Sequence, residues 1–381
     1  MITEFEPDDI FWMRRALMLA HAVMYTTTPN PRVGCVIVRD GRCIGEGATR
    51  PAGGPHAEVC ALRDAADRNE SVAGATIYVT LEPCNHYGRT PPCVDALLTA
   101  RPARVVVAMG DPNPQVNGQG LERLRQAGIQ VVPGVCQDEA LQINAGFVAR
   151  MSRGTPWVWL KMAASLDGRS ALHNGVSQWI TSPQARADGH HWRARSCVVL
   201  TGIGTVLQDD PQLNVREVSS PRAPLKAVVD GRLQIPEDAR LFDGGPVLIF
   251  SAQADPEKSA RLADRNARVI MLPAAQPGRV DLPAMLRWFG ANQLNEVHVE
   301  AGAGLSGALL AAGCVDELLI YLAPMLLGDA AGMLRLPALQ RLEDASRFEF
   351  IDTHCVGPDL RVRARLPARW AELSARVGAY T

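Results

Sequence analysis

Two short stretches, GGPHAEVCALRDA at residues 53–65 and TLEPCNHYGRTPPC at residues 80–93, carry the residue types of a metal site. Zinc in a catalytic centre takes three protein ligands and keeps one position open, with thiolate sulfur and imidazole nitrogen as favoured donors. His56, Cys84 and Cys93 supply that set. His56 follows Gly-Gly-Pro and Cys93 follows Thr-Pro-Pro, so each is expected where a helix begins. The free N–H groups and the dipole at a helix start favour a thiolate and metal binding. Any fold for this chain must bring these three residues to one point.

Glu58 separates a catalyst from a structural staple. It stands two positions after His56, so in the first helical turn it can face the open coordination position without ligating. A water on such an ion drops from a pKa near 15.7 to about 7, and a neighbouring carboxylate can pass its proton to a leaving amine. That chemistry is hydrolytic deamination of an aromatic ring. Zinc deaminases carry HxE followed by PCxxC, whereas here eight residues separate Cys84 from Cys93. Cys35, Cys43, Cys60, Cys136, Cys197, Cys314 and Cys355 read as ordinary thiols.

The rest of the chain is an α/β pattern of short apolar runs alternating with helical segments. At 381 residues and 47% hydrophobic content, it can fill two cores of about 150 residues each. Gly and Pro interrupt the pattern in RMSRGTP, which sets expected domains at 1–150 and 155–381. In the first half, IFWMRRALMLAHAVM behind Asp8 and Asp9, the segment from His56 to Asn69, CVDALLTA, LERLRQAG and DEALQINAGFVARM read as helices. VGCVIVRDGRCIGEG reads as a hairpin, and GATIYVTLEP and RVVVAMGDP as strands. The second half places strands at WVWLKMAASLDG, SCVVLTG, LKAVVDG, PVLIFS, ARVIML and EVHVEAG, with helices at SPQARADGHHWRAR, LPAMLRWFG and LSGALLAAG.

Thirty-nine basic residues against forty acidic ones give a formal charge of −1. No basic stripe offers a nucleic acid its counterion release. No apolar run reaches the length of a membrane span, and the acidic opening MITEFEPDDIFWMRRAL lacks a secretory pattern. Nine cysteines, an odd number, argue against a disulfide framework. A cytoplasmic protein with small-molecule partners, binding neither nucleic acid nor membrane, is expected.

Taken together, TPNPRVGCVIV, PHAEVCAL, TLEPCNHYGRTPPC, DPNPQVNGQG, SLDGR and SQWIT resemble the bifunctional pyrimidine deaminase and reductase family of riboflavin biosynthesis, from about residue 10 to 365. The resemblance implies a cytidine-deaminase-like domain followed by a dihydrofolate-reductase-like domain. The first would replace the 2-amino group of 2,5-diamino-6-(5-phosphoribosylamino)pyrimidin-4-one by oxygen, with Glu58 relaying protons and Asn30 and Arg89 contacting the substrate. The second would reduce the ribosyl chain with NADPH, giving 5-amino-6-(5-phosphoribitylamino)uracil. A homodimer joined through the reductase half is also implied. One position departs from the family: Thr49 stands where a His is common, and a hydroxyl cannot carry positive charge toward a phosphate.

For reduction, Lys161 is the leading residue, because a lysine inside the apolar run WVWLKMAAS needs a partner or a task. By matching motifs, Ser177, Arg193, Leu213, Arg216 and Glu300 would contact substrate, and Ala163, Trp179, Thr205 and Asp209 the cofactor. GAGLSG reads GxGxxG through Gly302, Gly304 and Gly307, a phosphate loop in this setting. The following strand, LLIYLAPMLLG, has no acid for a ribose 2′-hydroxyl, which suits NADP better than NAD. Two readings from other classes stay open: a nucleobase or nucleoside zinc deaminase with a non-catalytic C-terminal domain, and a binding protein with a structural zinc.

Overall fold

A computed structural model describes residues 7–87, 91–113 and 116–378. Its contacts divide the chain into two compact units, Met1–Gly154 with Ala371–Thr381, and Thr155–Trp370. The last eleven residues therefore group with the first unit, whereas the sequence reading ran the second domain to residue 381. The physical reason is in the hydrogen bonds: the amide of Gly110 donates to Val377 O (2.9 Å), and Gln137 Nε2 donates to Ser374 Oγ (3.4 Å).

The first unit holds α1 (Pro7–Ala22), β1 (Gly34–Arg39), β2 (Arg42–Ala48), α2 (Ala57–Asp67), β3 (Thr76–Val79), α3 (Cys93–Ala100), β4 (Arg104–Val107), α4 (Gln119–Gln126), β5 (Gln130–Pro133) and α5 (Gln137–Arg153). Its sheet runs β2-β1-β3-β4-β5. β1 is antiparallel to β2 and β3, while β3, β4 and β5 are parallel. The β1–β2 hairpin turns at Asp40 and Gly41, with φ of 51° and 71°. α2 lies directly on β2 because two strand positions lack a side chain. A Cβ on Gly45 would sit 2.5 Å from Ala61 O, and one on Gly47 2.6 Å from Ala61 N. That close packing fixes where α2 begins, and so where His56 stands.

The second unit is built on β6 (Trp157–Ser165), β7 (Arg169–Ala171), α6 (Pro183–Arg195), β8 (Val198–Gly202), α7 (Ile203–Asp209), β9 (Leu225–Val229), β10 (Val247–Ser251), α8 (Pro256–Asp264), β11 (Ala267–Met271), α9 (Leu282–Ala291), β12 (Glu296–Glu300), α10 (Ala303–Ala311), β13 (Glu317–Ala323), β14 (Ala331–Gly332), β15 (Glu349–Val356) and β16 (Asp359–Arg365). α11 (Pro367–Val377) follows. Nine strands form one sheet in the order β11-β10-β9-β8-β12-β6-β13-β16-β15. β11 to β13 are parallel along that order, β16 is antiparallel to β13, and β15 is antiparallel to β16.

Helices α6, α8 and α9 open on a Ser or Asp cap with Pro at the first or second helical position, and Ser182, Asp255 and Asp281 accept from the amide three residues on. The core runs through Leu160, Leu200, Phe250 and Val299, apolar positions of strands buried on both faces as parallel sheets require, with Phe289 of α9 packed against them. After β6 the chain moves out through β8, β9, β10 and β11, then returns to insert β12 beside β6 before adding β13 on the other side. Such a reversal leaves a crevice at the carboxyl ends of the strands, where open α/β sheets bind ligands. Among the described residues, no helix is long and apolar enough to cross a membrane.

Candidate functional site

In the first unit the three expected donors converge. His56 caps α2 in extended conformation, Cys93 is the first residue of α3, and Cys84 follows β3. Their ligand atoms lie within 4.8 Å of one another. His56 Nδ1 is 3.3 Å from Cys93 Sγ and 3.5 Å from Cys84 Sγ. The Cys93 amide donates to Cys84 Sγ (3.3 Å) and the Val94 amide to Cys84 O (3.3 Å), so the start of α3 holds the Cys84 loop.

The two thiols bias each other's ionisation in opposite directions. Hydrogen bonding from Cys93 draws the Cys84 thiol down to about 4, and the same bond holds the Cys93 thiol far above its usual value. Cys84 and Cys93 would both hold a dication as thiolates. Two sulfurs and one imidazole nitrogen match the donor set of zinc. Glu58 is 4% exposed; burial first, and then the Cys84 charge, push its carboxyl up to about 7.

The residues around this cluster divide clearly. Thr49 is buried and its hydroxyl donates to Val33 O at 3.4 Å, so the position that departs from the family faces backbone. Asn30 lies in the turn before β1, its amide bonded to Thr27 O (2.9 Å). Arg89 lies outside the described residues. Sequence reasoning assigned no role to Asp111, which follows β4. It is 8% exposed, and burial raises its carboxyl to about 7, with the charges of Glu82, Cys84 and His56 also acting on it. Glu82, in the same TLEPC run as Cys84, is the anchor of this region. Its carboxylate accepts amides from Asp111 (3.3 Å), Gly118 (3.0 Å), Gly120 (3.0 Å) and Leu121 (3.4 Å), an anion placed at the start of α4 where free N–H groups favour one.

The second unit carries a cleft of about 1670 Å³ at the carboxyl ends of its strands. Lys161 on β6 pairs in register with Glu300, the last residue of β12. From α6, Arg193 grips Glu300 through Nε–Oε1 (2.5 Å) and Nη2–Oε2 (2.8 Å), and its Nη1 donates to Asn214 O (2.8 Å). Burial alone would push the Glu300 carboxyl up; Arg193 instead holds it well below the usual carboxylate range. Burial lowers the Lys161 ammonium, against the pull of Glu300. Its Nζ also lies 5.9 Å from the ring centre of Tyr321, whose hydroxyl donates to Asp188 Oδ2 (2.5 Å).

Ala163, Ser177, Trp179, Thr205, Asp209, Leu213, Arg216, Gly302 and Gly304 line the same cleft as Lys161, Arg193 and Glu300. Leu213 is buried at a φ of 50°, and Trp179 is stacked under Arg186, 4.3 Å from its ring centre. Gly302 caps α10 and Gly304 has open space above it, a cradle able to accept a diphosphate.

Gly307 departs from the expectation. A Cβ there would lie 1.9 Å from Arg335 O, and the residue is not on the cleft wall. The third glycine of GAGLSG lets α10 pack against another backbone segment. His190, to which the sequence reading gave no role, lines the cleft; its Nδ1 accepts the Arg216 amide (3.3 Å), and burial followed by the charges of Arg193 and Arg216 lowers its pKa to about 4.

Comparison with known proteins covers both units. Residues 7–109 match the cytidine and deoxycytidylate deaminase zinc-binding region, and residues 156–360 match the RibD C-terminal domain. The riboflavin biosynthesis protein RibD of Escherichia coli is 48% identical over 365 residues, covering 92% of this chain and 98% of that protein. The RibD of Haemophilus influenzae is 44% identical over 373 residues, covering 94% and 98%. Among solved structures, Acinetobacter baumannii RibD superposes with a TM-score of 0.84 at 42% identity, covering 94% of this chain and 98% of that one. A diaminohydroxyphosphoribosylaminopyrimidine deaminase/5-amino-6-(5-phosphoribosylamino)uracil reductase from Thermotoga maritima gives 0.85 at 31% identity, covering 94% and 99%. The expected order of folds, a cytidine-deaminase-like domain and then a dihydrofolate-reductase-like one, agrees with these matches.

Proposed function

The chain belongs to the RibD family of bifunctional riboflavin-biosynthesis proteins, and from that premise we propose the residue-level chemistry of its two steps. The observation that carries the proposal is the pairing of a three-donor cluster, His56, Cys84 and Cys93, with a buried carboxyl, Glu58, in the same helical turn as the His.

In the first step a water oxygen is added at C2 of 2,5-diamino-6-(5-phosphoribosylamino)pyrimidin-4-one and ammonia leaves. His56, Cys84 and Cys93 would hold zinc, which when bound supplies a Lewis acid that makes a water acidic near neutral pH. Glu58 carries one proton from the attacking water to the ring nitrogen, then carries the proton of the new hydroxyl to the departing amine, which leaves as ammonia. Its carboxyl is buried in the first turn of α2, two positions from His56, which suits a relay at this point. Asn30 and Arg89 are assigned to the substrate.

The second step converts the ribosyl chain to ribityl. NADPH, when bound, supplies the hydride. Lys161 balances charge beside C1 of the opened sugar, and Arg193 keeps Glu300 ionised and fixed to receive sugar hydroxyls. Ser177, Leu213 and Arg216 are assigned to the substrate. Ala163, Trp179, Thr205 and Asp209, with Gly302 and Gly304, are assigned to the cofactor; Gly307 is removed from that group. We place the reaction in the cytoplasm, which suits a chain whose nine cysteines form no disulfide, and we assign a homodimer. Exposed Leu326 (73%), Leu342 (89%) and Phe350 (78%), with the edge strand β15, support an apolar contact on the reductase unit.

Two assays on one preparation test the reading: ammonia release from the diaminopyrimidine, and NADPH oxidation with and without the deaminated intermediate. Both activities are expected. Deamination without intermediate-dependent NADPH oxidation would instead support a zinc deaminase with an inert second domain.

A further inference from the structure

The cleft of the second unit has a positively charged end that the reduction chemistry leaves unused. Arg232, just past β9, and Arg279, in the loop before α9, line its wall. Both are exposed, and neither guanidinium has a hydrogen bond or ion pair among the described residues. At the other end of the cleft, Arg193 is bonded to Glu300 and Asn214, and Arg216 Nη1 donates to Asn214 Oδ1 (2.8 Å). Arg240 and Arg335 line the cleft as well, and their guanidiniums likewise carry no hydrogen bond or ion pair among the described residues; the backbone amide of Arg240 donates to Asp210 Oδ1 (2.8 Å).

Arg232 and Arg279 are set apart from these by being brought side by side by backbone packing. A Cβ on Gly231 would be 2.2 Å from Gly278 O, and one on Gly278 would be 3.3 Å from Arg232 Nε. Only a side-chain-free approach of these two loops sets Arg232 against the residue that precedes Arg279. The bridge between Pro273 and Val280, with the Ala274 amide on Arg279 O (2.8 Å), closes the second loop.

Position in the sheet says what they face. From β6, which carries Lys161, the order runs β12, β8, β9, three strand spacings or roughly 14 Å. The open cradle at Gly302 and Gly304 follows β12, between the two ends. A dinucleotide with its nicotinamide at Lys161 and its diphosphate at that cradle brings its adenylyl ribose to the arginines. Guanidinium forks match phosphate bidentately, and an arginine near this ribose accommodates a 2′-phosphate.

We propose that Arg232 and Arg279 are the specificity-determining residues that recognise the 2′-phosphate of the reductase cofactor. The inference rests on the NADPH reading above and adds the residues that separate NADPH from NADH.

Calorimetric titration of the full chain with 2′,5′-ADP and with 5′-AMP tests it without catalysis. Wild type is expected to bind 2′,5′-ADP at least about tenfold more tightly, the scale of one charge-assisted hydrogen bond. In Arg232→Ala/Arg279→Ala that ratio falls toward one while 5′-AMP affinity holds, and the NADPH-over-NADH preference in kcat/KM falls by the same order. Retained 5′-AMP affinity and an unchanged denaturation midpoint report that the reductase unit of the variant is folded. A double variant that keeps the wild-type ratio overturns the assignment and leaves the NADPH reading standing. A wild-type chain that binds neither nucleotide and oxidises neither dinucleotide with the deaminated pyrimidine overturns both.

Discussion

In the first unit the groups proposed to do chemistry lie between His56 and Cys93, at the starts of two helices and after one strand, and their charge is unbalanced. The Cys84 thiol is drawn down, the Cys93 thiol is held up, and Glu58 and Asp111 both stand near 7. In the second unit the corresponding groups come from β6, α6 and β12, and the charge is already settled, with Arg193 bonded to Glu300 by two nitrogens. The contrast shows two ways of preorganising a site. One gathers anionic and soft donors that a cation completes, and the other fixes an ion pair inside the fold so that the reacting molecules meet a constant field. Removing a group should therefore have different consequences in the two units.

The largest effect is expected from Cys93→Ser, which leaves two donors. Zinc content should fall from about one per chain to near none, with deamination at background, by metal analysis and ammonia release; full zinc in the variant would break the ligand assignment. Next is Lys161→Ala, expected to lower reduction of the deaminated intermediate by at least about 10²-fold while ammonia release stays at the wild-type level. Equal loss of both steps would erase the contrast between the units.

Smaller, and aimed at packing, is Gly307→Ala. A Cβ 1.9 Å from Arg335 O should destabilise the unit by about 1–3 kcal/mol, as overpacking does, seen as a lowered denaturation midpoint with NADPH affinity little changed. Undiminished stability with weakened NADPH binding would return Gly307 to the cofactor loop. The smallest effect concerns His190. Its pKa in the fold is about 4 against about 6.5 when unfolded, so protonation favours the unfolded chain as pH falls from about 6.5 toward 4. Imidazole signals in a pH titration should show it neutral at pH 6; a midpoint near 6.5 would contradict the electrostatic account of that end of the cleft.

What could be read from sequence follows the same contrast. The metal cluster was legible because its residue types are rare, close together and tied to helix starts by Gly-Gly-Pro and Thr-Pro-Pro. Lys161 stood out as a charge in an apolar strand. The partners that define its surroundings did not, since Asp188, Tyr321 and Arg361 become neighbours only through the sheet, where Arg361 Nη1 reaches Asp188 Oδ2 at 3.0 Å. Gly307 was misplaced because a glycine signals close backbone approach without saying to what. Asp111 escaped notice because an Asp-Pro pair reads as a turn until its burial is known.

Elements show the same limit. The four-residue β5 ends in Pro, and β16, DLRVRAR, carries more charge than a buried strand; neither was anticipated. Both are held by pairing with neighbours, β4 and β13, rather than by their own composition.

The central claim is that each unit performs its own step, with Glu58 as the proton relay of the first. Glu58→Gln tests it most directly, because the substitution keeps size and removes the proton acceptor. Zinc content, ammonia release and NADPH-dependent reduction of the deaminated intermediate are measured on the same protein. The account predicts bound zinc, deamination lower by at least about 10²-fold, and reduction near wild type. Loss of zinc, or an equal fall in both activities, would contradict it.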